Sequence, residues 1–225
     1  MDRFWGKYRG TVVDIEDPLM LGRLLVTVPQ ALGEVLTSWA MPCVPYAGPQ
    51  VGLCMTPPVG AAVWIEFEGG DLDYPVWTGC YWREGERPAE ATPATRQLIR
   101  TGSATLMLDD TPGEGGFKLT VTDPAVAAPL RIRGSSEGLA IECGETRATF
   151  AEGGGVAIMA GIGQLSVTED GVSVKHGVTS IALVAPEVSI VSGDGQASVT
   201  PEGVLLVHRT AAVELSAPLV TITNG

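Results

Sequence analysis

Two stretches of thirty residues at the end of the chain are copies of one another. "QLSVTEDGVSVKHGVTSIALVAPEVSIVSG" (164–193) aligns with "QASVTPEGVLLVHRTAAVELSAPLVTITNG" (196–225) at an offset of 32 residues. Gln, Ser-Val-Thr, Gly-Val, His and Ala-Pro recur at equivalent positions. A less similar earlier copy contains "EGLAIE" (137–142) and "VAIMAG" (156–161). Self-similarity at a fixed period indicates a repeat architecture.

The composition of the repeat favours strands over helices. It is rich in Val, Ile, Thr and Gly where a helix would prefer Leu, Glu and Lys. Its apolar residues alternate with small polar ones, which is the period of a β-strand with one buried face. Each repeat is therefore predicted to be a set of short strands joined at Gly, Asp-Gly or Pro.

A single chain of such repeats has too few large residues for a core, and its strand edges would be open to other chains. Identical chains wound around one axis would answer both problems, with Val and Ile stacked inside. We therefore predict a homo-oligomeric β-helix, for which three chains are the natural number in a prism with three faces. The residues predicted to point inward to the trimer core are Val156, Ile158, Val188, Ile190, Val220 and Ile222.

The first part of the chain has a different composition. Eleven of the thirteen aromatic residues, including all five tryptophans, lie before Arg83. Five segments rich in β-branched and aromatic residues are predicted strands, separated by Pro, Gly and Asp. A small barrel fits this number of strands, and the five-stranded oligonucleotide/oligosaccharide-binding (OB) fold is the commonest of this size. The five segments are "YRGTVVDI", "GRLLVTVP", "SWAMPCVPY", "AAVWIEFE" and "YPVWTGCYW".

The sequence thus predicts an all-β protein in three parts. An OB-fold barrel occupies residues 1–82, and a repetitive β-helix occupies residues 98–225. Residues 83–97, "REGERPAEATPATRQ", contain two prolines and several charges without an apolar face, which is typical of a linker.

Charge and composition argue against several classes of function. The net charge of −12 opposes binding to nucleic acid or docking on an anionic lipid surface. No apolar run is long enough to span a membrane, and the start lacks the apolar core of a signal peptide, so we expect synthesis and assembly in the producer cytoplasm. The four cysteines lack CxxC spacing and are expected to be reduced, half-buried thiols.

No cluster of residues predicts catalysis, a metal site or a cofactor. Asp14, Glu16 and Asp17 lie close together, as do Asp71 and Asp73, and we expect solvated turn carboxylates because no nucleophile or His is near them. No Ser has a G-x-S-x-G setting, and the Gly-rich segments lack the residues of a phosphate loop. An enzymatic role is therefore not expected.

The chain resembles the baseplate spike of contractile injection systems, a family that includes the phage baseplate assembly protein V and the C-terminal parts of VgrG proteins. The resemblance is carried by "YRGTVVDIEDPLMLGRLLVTVP" (8–29) and "VWIEFEGGDLDYPVWTGCYW" (63–82), followed by a linker and a repetitive β tail. It covers residues 8–82 well. The tail is similar in style only.

The resemblance implies a homotrimer that leads a tail tube through a target envelope, with transient contact with the target membrane. A separate hub protein would lie above the OB domains. A small tip protein with Pro-Ala-Ala-Arg (PAAR) repeats would cap the other end, against Val220, Ile222, Asn224 and Gly225. The family also implies eight-residue units, four of which make one 32-residue repeat. The resemblance places the protein in the baseplate of a phage tail or injection particle.

Two family features are not expected here. Only the short linker stands where some phage spikes carry a lysozyme domain. His176 and His208 lie 32 residues apart and do not form the His-x-His of iron-binding tips. Two other classes remain open from the sequence: a single-chain β-helix enzyme acting on polysaccharides, and a fibre that binds a surface. The first would need clustered charged residues in a groove, and the second would need aromatic loops along the tail.

Overall fold

A computed structural model describes residues 3–216 and 219–223 of the chain. They form two compact units, and the boundary between these units lies between Pro88 and Ala89. This boundary falls within residues 83–97, for which the sequence predicts a linker. None of the helices in the described ranges is long and apolar enough to cross a membrane.

The N-terminal unit is built on a five-stranded sheet with the order β2-β1-β6-β7-β3. A bridge between Leu24 and Ala40, just before β2 and β3, brings the two edges of the sheet together, so the sheet curls into a small barrel. Each of the five segments predicted to be strands contains one strand of this sheet. The strands of the unit are β1 (Tyr8–Asp14), β2 (Leu25–Thr27), β3 (Met41–Pro42), the hairpin β4 (Ala47–Gly48) and β5 (Val51–Gly52), β6 (Ala62–Phe67) and β7 (Pro75–Cys80).

The barrel has its own hydrophobic core. Strand β6 buries four of its six side chains, and the core continues through β1, β2 and β7. Gly10 on β1 allows close approach, because a Cβ there would lie 3.0 Å from both the Ile65 side chain and the Thr27 carbonyl. One short helix, α1 (Pro29–Leu32), and one 3-10 turn (Glu68–Gly70) complete the unit. The buried core residues are Val12, Leu24, Val26, Val28, Ala40, Val63, Ile65, Phe67 and Trp77.

The C-terminal unit is one long antiparallel sheet, preceded by a 3-10 turn (Ala89–Ala91). Each strand pairs with its neighbours in sequence, so the chain runs back and forth from one end of the sheet to the other. The strands are β8 (Arg96–Arg100), β9 (Ala104–Asp109), β10 (Gly116–Val121), β11 (Leu130–Ser135), β12 (Gly138–Cys143), β13 (Thr146–Ala151), β14 (Val156–Ala160), β15 (Gly163–Thr168), β16 (Gly171–His176), β17 (Thr179–Val184), β18 (Glu187–Ser192), β19 (Gly195–Thr200), β20 (Gly203–His208), β21 (Ala211–Ser216) and β22 (Leu219–Thr223).

An eight-residue unit organises the second part of this sheet. Strands β15 to β22 begin at residues 163, 171, 179, 187, 195, 203, 211 and 219, which is one start every eight residues. Four strands therefore make the 32-residue repeat of the sequence. The alternation of apolar and polar residues within each strand is the reason that the repeat forms strands.

This sheet has almost no interior within a single chain. Among the described residues of the C-terminal unit, only Ala91, Ala140 and Ser198 are buried. A sheet rich in Val, Ile and Leu that buries so little cannot gain its stability from its own core.

The cysteines differ from the expectation of half-buried thiols. Cys43, Cys54, Cys80 and Cys143 are all free, as predicted, but all four are exposed. Cys43 directly follows β3 and Cys80 ends β7, so both lie where strands of the barrel end. This position explains why apolar neighbours do not cover them.

Candidate functional site

One face of the long sheet is apolar along its length. Residues directly opposite each other on antiparallel strands project to the same face, so the register assigns every side chain to a face. Following the register from β8 to β21 places most of the large apolar side chains and no Asp, Glu, Lys or Arg on one face, which we call the apolar face. Its exposed members are Ile99, Leu106, Leu108, Phe117, Ile141, Phe150, Ile158, Leu165, Val167, Val174, Ile181, Leu183, Val188, Ile190, Val199, Leu206 and Leu215.

The register brings four of the residues predicted to point inward onto this face. Val156 and Ile158 of β14 pair with Val167 and Leu165. The remaining two, Val188 and Ile190 of β18, likewise pair with apolar residues of β17. Their exposed fractions in a single chain are 41% for Val188 and 48% for Ile190.

The residues of the predicted tip lie at the limit of the described structure. In the backbone register, Val220 pairs with Leu215 and Ile222 with Val213. The side chains of Val220 and Ile222 are not described. Asn224 and Gly225 lie outside the described residues, so the contact predicted for a tip protein stays a prediction.

The opposite face of the sheet, which we call the polar face, carries Ser, Thr, Gln and most of the charged side chains. Ser166 and Ser173 oppose each other on β15 and β16, with their hydroxyl oxygens 2.7 Å apart. The two faces therefore differ in chemistry, and the apolar face is the one that would gain by being covered.

The two histidines occupy equivalent places in successive repeats. His176 lies opposite Gly163 and His208 opposite Gly195, with both imidazoles exposed. In each case the ring lies over the glycine, 3.8 Å from where a Cβ would be. Within the described ranges, no group of three or more His, Cys, Asp or Glu is placed to hold a metal ion.

A buried carboxylate organises one loop of the barrel. Asp17 accepts backbone hydrogen bonds from Leu19 (3.0 Å), Leu21 (2.8 Å) and Arg23 (3.2 Å). The guanidinium of Arg23 donates two more, at 2.9 Å and 2.6 Å. The Arg23 hydrogen bonds and these backbone donors hold the pKa of Asp17 well below its ordinary value.

The expectation of a solvated turn carboxylate is therefore wrong for Asp17, whose side chain is 3% exposed. The reason is that the chain folds back so that five donors converge on one carboxylate, which the spacing alone does not reveal. Asp14 and Asp71 behave closer to expectation, since each accepts one backbone hydrogen bond from the residue two positions later.

The loop held by Asp17 presents apolar residues to solvent. Leu19, Met20 and Leu21 are 62%, 91% and 51% exposed, and Met20 has a left-handed backbone with φ of 54°. A non-glycine residue in this conformation persists because the surrounding hydrogen bonds fix it. The indole of Trp77 donates a hydrogen bond to the Gly22 carbonyl at 3.1 Å and anchors the end of the loop.

The loop forms one wall of an apolar groove. The groove has a volume of about 600 Å³, and the β4–β5 hairpin forms its other wall. No Asp, Glu, Lys, Arg or His occurs between Glu34 and Glu66, and residues 45–56 of this uncharged stretch are all exposed. Exposed surface that is apolar and without charge is typical of a protein–protein interface. The apolar residues lining the groove include Met20, Leu21, Tyr46, Val51, Leu53, Met55 and Trp77.

Comparison with known protein families gives a match to the barrel. Residues 8–82 match the family model of the type VI secretion system/phage-baseplate injector OB domain. The barrel of the N-terminal unit is similar to this injector OB domain over these residues. The predicted resemblance to the baseplate spike family is confirmed over these residues, and the family indicates a structural role in a baseplate. The match ends at Trp82, and no curated protein matches the chain significantly.

Proposed function

We propose that the protein is the central spike of the baseplate of a contractile injection system or phage-like tail. In this role it would connect the hub and tube to the piercing tip and help to puncture the target envelope. The observation that carries the proposal is the apolar face, which follows a segment similar to an injector OB domain in the same chain and has exposed members from β8 to β21. A rigid sheet of this kind suits the transmission of force, and the role is structural rather than enzymatic.

A homotrimer would cover the apolar face. Three chains wound around one axis with this face inward would bury the Val, Ile and Leu side chains that lie on it. Full burial contributes about 1.5–3 kcal/mol for each such side chain. Because dozens of these side chains lie on one face, association supplies the core that a single chain lacks. The polar face would then form the outer surface of the needle.

The hub protein would contact the OB domains through the uncharged groove. The Asp17–Arg23 cluster holds the Leu19–Leu21 loop in one conformation before binding, which lowers the entropy cost of association. Met side chains such as Met20 and Met55 adapt to the shape of a partner.

The opposite end of the needle would carry the tip protein of the PAAR type. The residues proposed for this contact are Val220, Ile222, Asn224 and Gly225, which end the last repeat. The spike would assemble in the producer cytoplasm as part of the particle. Its contact with the target membrane would be transient, during puncture.

Two neighbouring residues on β14 provide a matched test of the trimer. Ile158 and Met159 are 40% and 43% exposed in one chain, but they project to opposite faces of the sheet. Asp at position 158 would place three carboxylates around the trimer axis, which costs several kcal/mol because the charges are buried and alike. Asp at position 159 would lie on the outer surface, opposite Arg147.

The measurement is the mass in solution, by light scattering coupled to size exclusion. We expect about three times 23.4 kDa for the wild-type chain and for Met159→Asp. Ile158→Asp is expected to lose the trimer. A monomeric wild-type chain would refute the proposal, and equal behaviour of the two variants would refute the assignment of the apolar face to the interior.

A further inference from the structure

The polar face carries a concentration of cations that the proposed spike does not use. Six of its basic side chains lie on strands β8 to β13, in a chain whose net charge is −12. Only Asp109 and Glu142 provide carboxylates on the same face of these strands. The six are Arg96, Arg100, Lys118, Arg131, Arg133 and Arg147.

The cations on this face are unequally neutralised. Arg96 pairs with Asp109 at 2.7 Å, and Arg100 pairs with Glu90. Arg131 and Arg147 share the single carboxylate of Glu142, at 3.6 Å and 3.8 Å.

Lys118 and Arg133 lie directly opposite each other on β10 and β11. Neither forms an ion pair with any described carboxylate. Like charges directly opposite on neighbouring strands are destabilising, so a bound anion would relieve the repulsion.

A small cavity lies beside this pair. It has a volume of about 130 Å³, and the side chains of Arg133 and Arg147 both line it. Ala140 lies on β12 opposite Arg133 and Thr149, and its small side chain leaves room that a larger one would fill. Ser135 and Thr149 add hydroxyl groups to the lining.

We propose that this cavity binds a compact oxyanion of the phosphate class between Arg133 and Arg147. Guanidinium groups donate paired hydrogen bonds that match the geometry of phosphate oxygens. The hydroxyl group of Ser135, which accepts a hydrogen bond from the Glu137 backbone amide, can donate as well. The site lies on the face that the proposed trimer leaves in solvent, so the inference does not depend on the proposed function.

The charge distribution favours a compact anion over a long polyanion. Turn residues such as Glu137, Glu145 and Glu152 border the basic strands, and an extended polyanion would meet these carboxylates. Screening limits the influence of more distant charges to about 8–10 Å at physiological salt, so a small anion responds mainly to the local arginines.

Binding is measured by calorimetry on the full chain, with inorganic phosphate at pH 7.5 and constant ionic strength set by chloride. We expect Arg133→Gln and Arg147→Gln each to weaken the binding about tenfold or more, because each removes charge-assisted hydrogen bonds. Lys175→Gln is the matched control, since it removes one charge from the polar face outside the cavity.

A second variant tests the site in the opposite direction. Glu137 also lines the cavity and forms no ion pair with either arginine. Glu137→Gln is expected to strengthen phosphate binding several-fold, which a general loss of folding cannot produce. Wild-type protein that binds phosphate no better than chloride would overturn the proposal, as would an equal loss in Lys175→Gln and Arg133→Gln.

Vesicles distinguish the source of the phosphate group. Wild-type protein is sedimented with vesicles of phosphatidylcholine alone or with added phosphatidic acid. Binding to phosphatidic acid that inorganic phosphate displaces and Arg133→Gln abolishes identifies a lipid headgroup as the ligand. Calorimetric binding of phosphate without vesicle binding identifies a soluble phosphate compound, and both results support the site.

Discussion

Asp17 fixes the conformation of a loop through five hydrogen bonds to one carboxylate. Without these hydrogen bonds Met20 would not keep its left-handed backbone, because this conformation is unfavourable for a residue with a long side chain. The ionised carboxylate is therefore part of the folded structure of the barrel. This dependence on ionisation makes the contribution of Asp17 sensitive to pH.

The folded-state pKa of Asp17 is depressed, so its contribution to stability is complete above the ordinary carboxyl pKa of about 4, declines as the pH falls below that value, and is lost only as the pH passes the depressed folded-state pKa. We expect Asp17→Asn to lower the midpoint of thermal unfolding clearly at pH 7 and by a smaller amount at pH 3. All five tryptophans lie before Arg83, so tryptophan fluorescence reports on the OB domain alone.

Asp109→Asn is the control variant for this experiment. Hydrogen bonds from Thr111 and Arg96 lower the pKa of Asp109 to about 2, and it lies in the C-terminal unit, where there is no tryptophan. Asp109→Asn should therefore leave the pH dependence of the fluorescence transition unchanged. A difference between wild type and Asp17→Asn that is the same at both pH values would contradict the role of the ionised carboxylate.

At the scale of elements, the hairpin rather than the single strand is the unit of the long sheet. The apolar face uses residues 163, 165 and 167 of β15 but residues 172, 174 and 176 of β16. In β17 the apolar face uses residues 179, 181 and 183, which is the arrangement of β15 again. Strands therefore start every eight residues, but the face pattern repeats only every sixteen.

This difference predicts the outcome of two deletions. Removal of residues 163–178 takes out two strands and places Ile181 and Leu183 where Leu165 and Val167 were, so the apolar face continues. Removal of residues 163–170 takes out one strand and places Ser173 and Lys175 there instead. A shift of this kind moves apolar side chains to the wrong face of a sheet.

We expect the sixteen-residue deletion to keep the trimer and the eight-residue deletion to lose it, as measured by light scattering after size exclusion. Trimers from both deletions would mean that the eight-residue period alone is sufficient. Loss of the trimer in both would mean that the length of the sheet matters more than its faces.

The sequence predicts these elements well because period-two alternation and turn residues are local signals. Each of the five predicted barrel segments contains a strand, and the 32-residue repeat corresponds to four strands of the sheet. The opposition of Lys118 and Arg133 could not be predicted, because alternation is irregular between Thr101 and Arg133 and only the register brings the two together. The sequence shows that residues 35–65 carry no charge, but it does not show that residues 45–56 of this stretch are exposed.

For the whole molecule, the two units have different sources of stability. The barrel buries a core of its own, including Leu24, Val26 and Ile65, which are fully buried within one chain. The long sheet has two buried residues in its described part, Ala140 and Ser198, and an apolar face open to solvent. We therefore expect the barrel to fold alone and the sheet to need association.

Separate fragments test this division. Residues 1–88 are expected to unfold at a midpoint that does not change with protein concentration, because a monomer folds without a partner. Residues 89–225 are expected to form trimers and to unfold at a higher midpoint when their concentration is raised tenfold, because mass action favours the associated state. A tail fragment that is folded, monomeric and independent of concentration would show that one chain covers its own apolar face, and the spike would then lose its physical basis.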